Sequence, residues 1–100
     1  MRTSPGQLTL RVELSGPLAW LLSADEVELE LPEGSRVSDA LRALCEREPR
    51  VAEVLFDPDT GDPRTHFLVL INGRDIDVLG GLDAELGQGD VLTLIPLIRL

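Results

Sequence analysis

One hundred residues with 43% hydrophobic side chains are enough for one packed domain and too few for two, so a single domain spanning 1–100 is expected. Acidic residues outnumber basic ones 18 to 9, and a net charge of -9 repels phosphate backbones; this excludes nucleic acid and favours a basic or mixed protein surface as partner. The single cysteine, Cys45, excludes an internal disulfide or an iron–sulfur site and fits a reducing cytoplasm.

Other exclusions follow from particular residues. All the basic residues are arginine, so with no lysine the chain is a poor acceptor for isopeptide conjugation. Met1 to Gln7 holds one arginine and no apolar run, and no stretch reaches the ~18 apolar residues of a membrane span. The chain is expected to be soluble, without a targeting segment and without a membrane partner.

In chain order, Leu8, Leu10, Val12 and Leu14 alternate with polar residues, the period of two of a half-buried strand. Val27, Leu29 and Leu31 alternate with Glu26, Glu28 and Glu30 in the same way, which predicts a second strand paired with the first and an acidic, solvated face. The connection from Ser15 to Asp25 is too long for a tight turn and is expected to hold a short helical turn or loop. Pro32-Glu33-Gly34 ends the second strand, and Ser35 or Ser38 is the expected cap of the next helix. Val37, Leu41 and Leu44 then recur at helical spacing, with Ala40 and Cys45 beside them, until Pro49 stops the helix. Val51 to Phe56 adds another turn.

The segment Asp57 to Pro63 is rich in turn formers. Its carboxylates suggest calcium only superficially, because Asp62 stands at the sixth place, where an EF-hand loop needs glycine; no metal is expected. Phe67 to Ile71 is apolar throughout and predicts a central strand covered on both faces. Asn72-Gly73 predicts a type I′ hairpin turn into Arg74 to Ile76. Leu79 to Leu86 connects to the turn Gly87-Gln88-Gly89-Asp90, and Val91 to Leu97 is the last strand.

Catalytic candidates are weak. His66 stands alone at the mouth of a strand, Cys45 lies on the apolar side of a helix, and nothing combines a nucleophile, a base and a stabiliser. No catalytic residue and no cofactor is expected. Trp20, the only tryptophan, falls in a loop as either a cap on the core or an interface anchor. If the last strand lay at a sheet edge, Leu97, Ile98 and Leu100 would pair with a second copy as a weak homodimer.

Gly16-Pro17-Leu18, Leu31 to Val37, Ile71 to Ile76, and Gly89-Asp90 with Pro96 together resemble the punctuation of the MoaD/ThiS family of ubiquitin-like sulfur carriers, over most of the chain. The resemblance implies an α+β, β-grasp (ubiquitin-like) fold: a mixed four- to five-stranded sheet packed on one main helix. It also implies sulfur transfer for molybdenum-cofactor, thiamin or related biosynthesis, with an activating enzyme or a larger synthase-type subunit as protein partner. Trp20, Ile95, Pro96, Leu97 and Ile98 are the expected docking residues. Ser15 and the pair Ala19-Trp20 depart from the aromatic and Arg-Glu residues common in the family. The family's tail ends in Gly-Gly, whose carboxylate is adenylated and then converted to a thiocarboxylate; here Arg99 and Leu100 hold those places. Glycine suits a narrow channel because it lacks a Cβ, so this tail is not expected to support that chemistry. A non-catalytic interaction module, an adaptor or complex subunit, is the alternative expectation.

Overall fold

The computed structural model describes residues 5–97. Strand β1 (Gln7–Leu14) leads through helix α1 (Pro17–Leu22) to strand β2 (Glu26–Pro32), then to helices α2 (Val37–Arg47) and α3 (Val51–Leu55). Strands β3 (Phe67–Ile71), β4 (Arg74–Asp75) and β5 (Val91–Pro96) complete a five-stranded mixed sheet in the order β2-β1-β5-β3-β4. Parallel pairing of β1 with β5 at its centre, flanked by antiparallel pairs, is the β-grasp arrangement expected.

The alternation in sequence becomes two faces because side chains on a strand point to opposite sides. Leu8, Leu10, Val12 and Leu14 of β1 share the inner face with Leu29 and Leu31, Leu92 and Leu94, and Phe67, Val69 and Ile71, all buried. Helix α2 covers this face with Val37, Ala40, Leu41 and Leu44, and α3 adds Val51 and Leu55. At about 25 cal/mol per Å² of apolar surface, this one cluster is the main source of stability.

Three expectations change and one holds. Neither Ser35 nor Ser38 caps α2: Arg36 is the N-cap, and its backbone N–H donates to the Asp39 carboxylate at 2.9 Å, while Ser35 is buried and its carbonyl accepts from Leu86 N–H. The connection after β1 holds the short helical element expected of it, α1, with Leu18 fully buried. Strand β3 is covered on one face only among the described residues; Leu68 and Leu70 are half-buried on the outer face, where none of the described elements forms a second layer. Strand β5 is the central strand, between β1 and β3, so the premise of an exposed-edge homodimer through its residues fails up to Pro96.

Two turns are locked together at one end of the sheet. Asn72 and Gly73 both take positive φ, 50° and 83°, as the type I′ turn requires. The Asn72 side chain donates to Asp90 Oδ1 at 3.0 Å and accepts from Val91 N–H at 2.9 Å, and Asp90 Oδ2 accepts from Gly87 N–H at 2.7 Å. Gly80 and Gly81 also take positive φ, and the Gly81 carbonyl accepts from Ala84 N–H, so this internal glycine pair is part of a folded turn ahead of β5.

Candidate functional site

The end of β5 opposite those turns is where the chain leaves the sheet. Its register holds to the last described residue: Leu97 N–H donates to the His66 carbonyl at 2.8 Å, and β1 contributes a bond from Ser15 Oγ to the Leu94 carbonyl at 3.4 Å. Gly16 turns the chain from β1 into α1 at φ 60°, and a Cβ there would lie 3.0 Å from Pro96 Cγ. The Gly16–Pro96 contact explains why both stand in the motif, since a side chain on residue 16 would push the exit of β5 aside. Pro17 opens α1 at a position where its missing N–H costs nothing.

Helix α1 turns Leu18 into the core and Trp20 away from it. Trp20 is 79% exposed, so the core-capping alternative for this residue fails. Ile95 and Leu97 are 38% and 47% exposed, and Pro96 is half-buried. The structure thus brings Ile95, Pro96 and Leu97 to one place, with α1 beginning beside it. Ile98, Arg99 and Leu100 lie outside the described residues.

Ile95 does not stand alone. On the outer face it pairs with Leu68, and Thr93 pairs with Leu70, while Val91 continues the row. Leu68, Leu70, Val91 and Ile95, with Thr93 among them, make the half of the outer face around β3 and β5 mainly apolar. A wholly apolar β3 was the available signal for it; taken as double coverage, that signal instead marks a surface that water meets. Around β1 and β2 the same face carries Glu13, Glu26, Glu28 and Glu30, with Arg11 3.8 Å from Glu13 and 3.6 Å from Glu26.

The loop feeding β3 is tied down by carboxylates. Asp57 Oδ1 accepts from the backbone N–H groups of Asp59 and Thr60, and its Oδ2 lies 3.3 Å from His66 Nε2. The two backbone N–H groups, with His66 adding to them, hold the Asp57 carboxyl below its usual range. Arg64 bridges Asp62 at 2.7 Å and Asp77 at 2.6 Å; these bonds raise its own affinity for the proton, and its hydrogen bonds lower that of Asp62. The link from Arg64 to Asp77 was not anticipated from sequence, because no local pattern joins residues thirteen apart in the chain. Burial pushes the half-buried Cys45 thiol up, away from the reactive thiolate. Among the described residues no group of His, Cys, Asp and Glu is arranged to hold a metal ion, and no helix is long and apolar enough to cross a membrane.

No curated protein sequence matches the chain. Solved structures do. The crystal structure of small archaeal modifier protein 1 of Haloferax volcanii matches at 27% identity and a TM-score of 0.79, covering 91% of this chain and 99% of that one. A candidate molybdopterin converting factor, subunit 1, of Pyrococcus furiosus matches at 29% identity and a TM-score of 0.73, again covering 91% and 99%. A chain of the Amycolatopsis orientalis BexX/CysO complex shares the fold at 23% identity and a TM-score of 0.74, covering 91% and 98%. The model of the ThiS family matches residues 12–99, from within β1 to beyond the exit of β5, and the chain belongs to this family of small ubiquitin-like sulfur carriers.

Proposed function

We propose that this sulfur-carrier-family protein acts by docking a protein partner, through the apolar half of the outer face and the exit of β5, and performs no catalysis of its own. The observation that carries the reading is the position of β5. It is the central strand, held in register through Leu97, and it leads the chain out beside exposed Ile95 and Leu97, while Trp20 stands exposed on α1. A tryptophan exposed on a short helix is the kind of residue that anchors interfaces. The fold shared with a chain of the BexX/CysO complex supports a protein as the partner. An activating enzyme or a larger synthase-type subunit is the partner class that this family membership favours, with the work done in the cytoplasm by a single β-grasp unit that needs no cofactor. The test is binding to an activating enzyme of the family: Ile95→Glu is expected to weaken the complex about tenfold or more, and Trp20→Ala by several-fold. Unchanged affinity in both variants, each with a native circular-dichroism spectrum, overturns the docking site.

A second reading is favoured by the residues after Pro96. Leu97, Ile98, Arg99 and Leu100 contain no glycine, and their side chains would crowd a channel built for a bare backbone. In this reading the chain keeps the docking surface and serves as an adaptor or complex subunit. Incubation with ATP and the activating enzyme is expected to leave the intact mass unchanged. A mass gain corresponding to sulfur in place of one oxygen returns the protein to thiocarboxylate carriage.

A further inference from the structure

We propose that the outer edge of β2 is a second docking site, one that takes an extended segment of a protein partner, with alternating basic and apolar residues, as an added sheet strand. Strand β2 lies at one end of the sheet order, so one side of it has no strand among the described residues. The direction of its peptide groups follows from the ladder. Leu14 N–H donates to the Asp25 carbonyl and Glu33 N–H to the Gly6 carbonyl; in an antiparallel pair this makes Val27, Leu29 and Leu31 the residues bonded to β1. The peptide groups of Glu26, Glu28 and Glu30 therefore face outward along the edge. Arg47 Nη1, from the end of α2, donates to the Glu28 carbonyl at 3.1 Å.

The side chains state what the added strand must be. Glu26, Glu28 and Glu30 stand exposed on the outer face, and residues of a neighbouring strand directly opposite them gain by carrying positive charge. A second copy of β2 is disfavoured as the occupant, since it would set glutamate against glutamate. The intervening residues of the added strand point to the inner side. There a groove of ≈ 420 Å³ lies between the end of β2 and α2, where the apolar Leu31, Pro32 and Ala43 are joined by the charged Asp39, Arg42 and Glu46, with room for a side chain whose apolar part meets the first three. Strand addition supplies affinity through main-chain bonds and specificity through alternate side chains, and both elements are present here. Arg47 acts as a guard on the edge: it occupies the Glu28 carbonyl until a strand with its own N–H groups displaces it.

The experiment titrates the full chain with a capped peptide of alternating arginine and valine, about as long as β2, followed by amide NMR and calorimetry. The amides of Glu26, Glu28 and Glu30 are expected to shift most. A peptide with the same charges, but methylated on the backbone nitrogens that would face β2, is expected to bind about tenfold or more weakly, because it cannot complete the ladder. Replacing Glu26, Glu28 and Glu30 with glutamine is expected to cost roughly tenfold in affinity. Arg47→Ala is expected to raise affinity about threefold by freeing the Glu28 carbonyl. Equal binding of the methylated peptide reduces the interaction to charge attraction and overturns the proposal, as do shifts centred on β5 and α1. The outcome does not depend on the docking site at the exit of β5, so either site stands or falls without the other.

Discussion

On the outer face of the sheet, the half around β1 and β2 and the half around β3 and β5 carry different chemistry on the same pleat. One continuous row runs Glu26, Glu13, Thr93, Leu70, Asp75 across all five strands: carboxylates on β2 and β1, a hydroxyl on β5, an apolar side chain on β3 and a carboxylate again on β4. Backbone pairing is the same on both sides of the seam between β1 and β5, so the difference lies wholly in side chains, and the fold does not require it. A face needed only for solubility would be polar throughout. Apolar area supplies affinity once a partner is seated, whereas charge mainly sets how fast and with which partner the encounter occurs. The two halves are therefore suited to different steps of one association.

The sharpest way to break this comparison is to ask whether the apolar half is surface or hidden core. Leu94 and Ile95 are neighbours on β5 that point to opposite faces, one fully buried and the other 38% exposed. Leu94→Ala is expected to cost about 3 kcal/mol, the usual range for emptying a buried leucine site, and Ile95→Ala less than about 1 kcal/mol. Urea unfolding followed by circular dichroism measures both. Equal losses would make the outer apolar residues part of the core and remove their claim to a docking role.

The seam itself comes next. Gly16 lies just past the end of β1 and Pro96 ends β5, and the two lie side by side where the halves meet at the exit of the sheet. Gly16→Ala introduces a Cβ 3.0 Å from Pro96 Cγ and leaves a non-glycine residue at φ 60°, ψ -135°. The expected cost is about 2 kcal/mol. Faster hydrogen exchange at the Leu97 amide would show that the register at the exit has loosened. A variant as stable as the parent, with unchanged exchange, would separate the glycine from the strand end.

These expectations rest on how much of the molecule was legible before its structure. The β1 and β2 strands, helix α2 and the Asn72-Gly73 turn were readable because each has a local pattern: alternation, helical spacing, or two residues that tolerate positive φ. Strand β3 was misread for a physical reason, since a run of five apolar residues looks the same whether covered by protein or left for a partner. The cap of α2 was missed because an N-cap serine is only a preference, and Asp39 satisfies the Arg36 N–H instead. Of the site, Ile95 was legible from its place before Pro96. Its companions Leu68, Leu70 and Val91 were not, because cross-strand neighbours are set by register and not by sequence separation. Trp20 was legible as an oddity, but its exposure depended on which way a six-residue helix turned.

A smaller effect concerns the loop that feeds β3. Asp62 has its carboxyl lowered in the folded protein by its hydrogen bonds with Arg64. A folded value below the unfolded one contributes stability that is whole above the ordinary carboxylate value of ~3.9 and is lost as pH falls through the lower folded value. Stability measured below about pH 4 is therefore expected to fall less steeply in Asp62→Asn than in the parent, with about 1 kcal/mol or less separating the two at neutral pH. Parallel pH profiles would mean that the Arg64 bridge does not survive in solution, and the apolar half would lose one of its supports.

The smallest effect belongs to the acidic half. Arg11 is a cation set among Glu13, Glu26 and Glu28 on the outer face, at distances of 3.8 Å and 3.6 Å from the first two, with its side chain about half exposed. Pairs of this kind contribute little because water and side-chain entropy offset the attraction, so Arg11→Gln is expected to change stability by about 0.5 kcal/mol or less. The change should shrink further between 0.1 M and 1 M salt, as the screening length falls from ~10 Å to ~3 Å. Association with a basic partner should become faster at low salt, because the variant removes one positive charge from among the surrounding carboxylates. If Arg11→Gln instead costs more than about 1 kcal/mol independently of salt, the arginine stem is packing against the sheet. The acidic half would then be holding structure together where the comparison has it steering a partner.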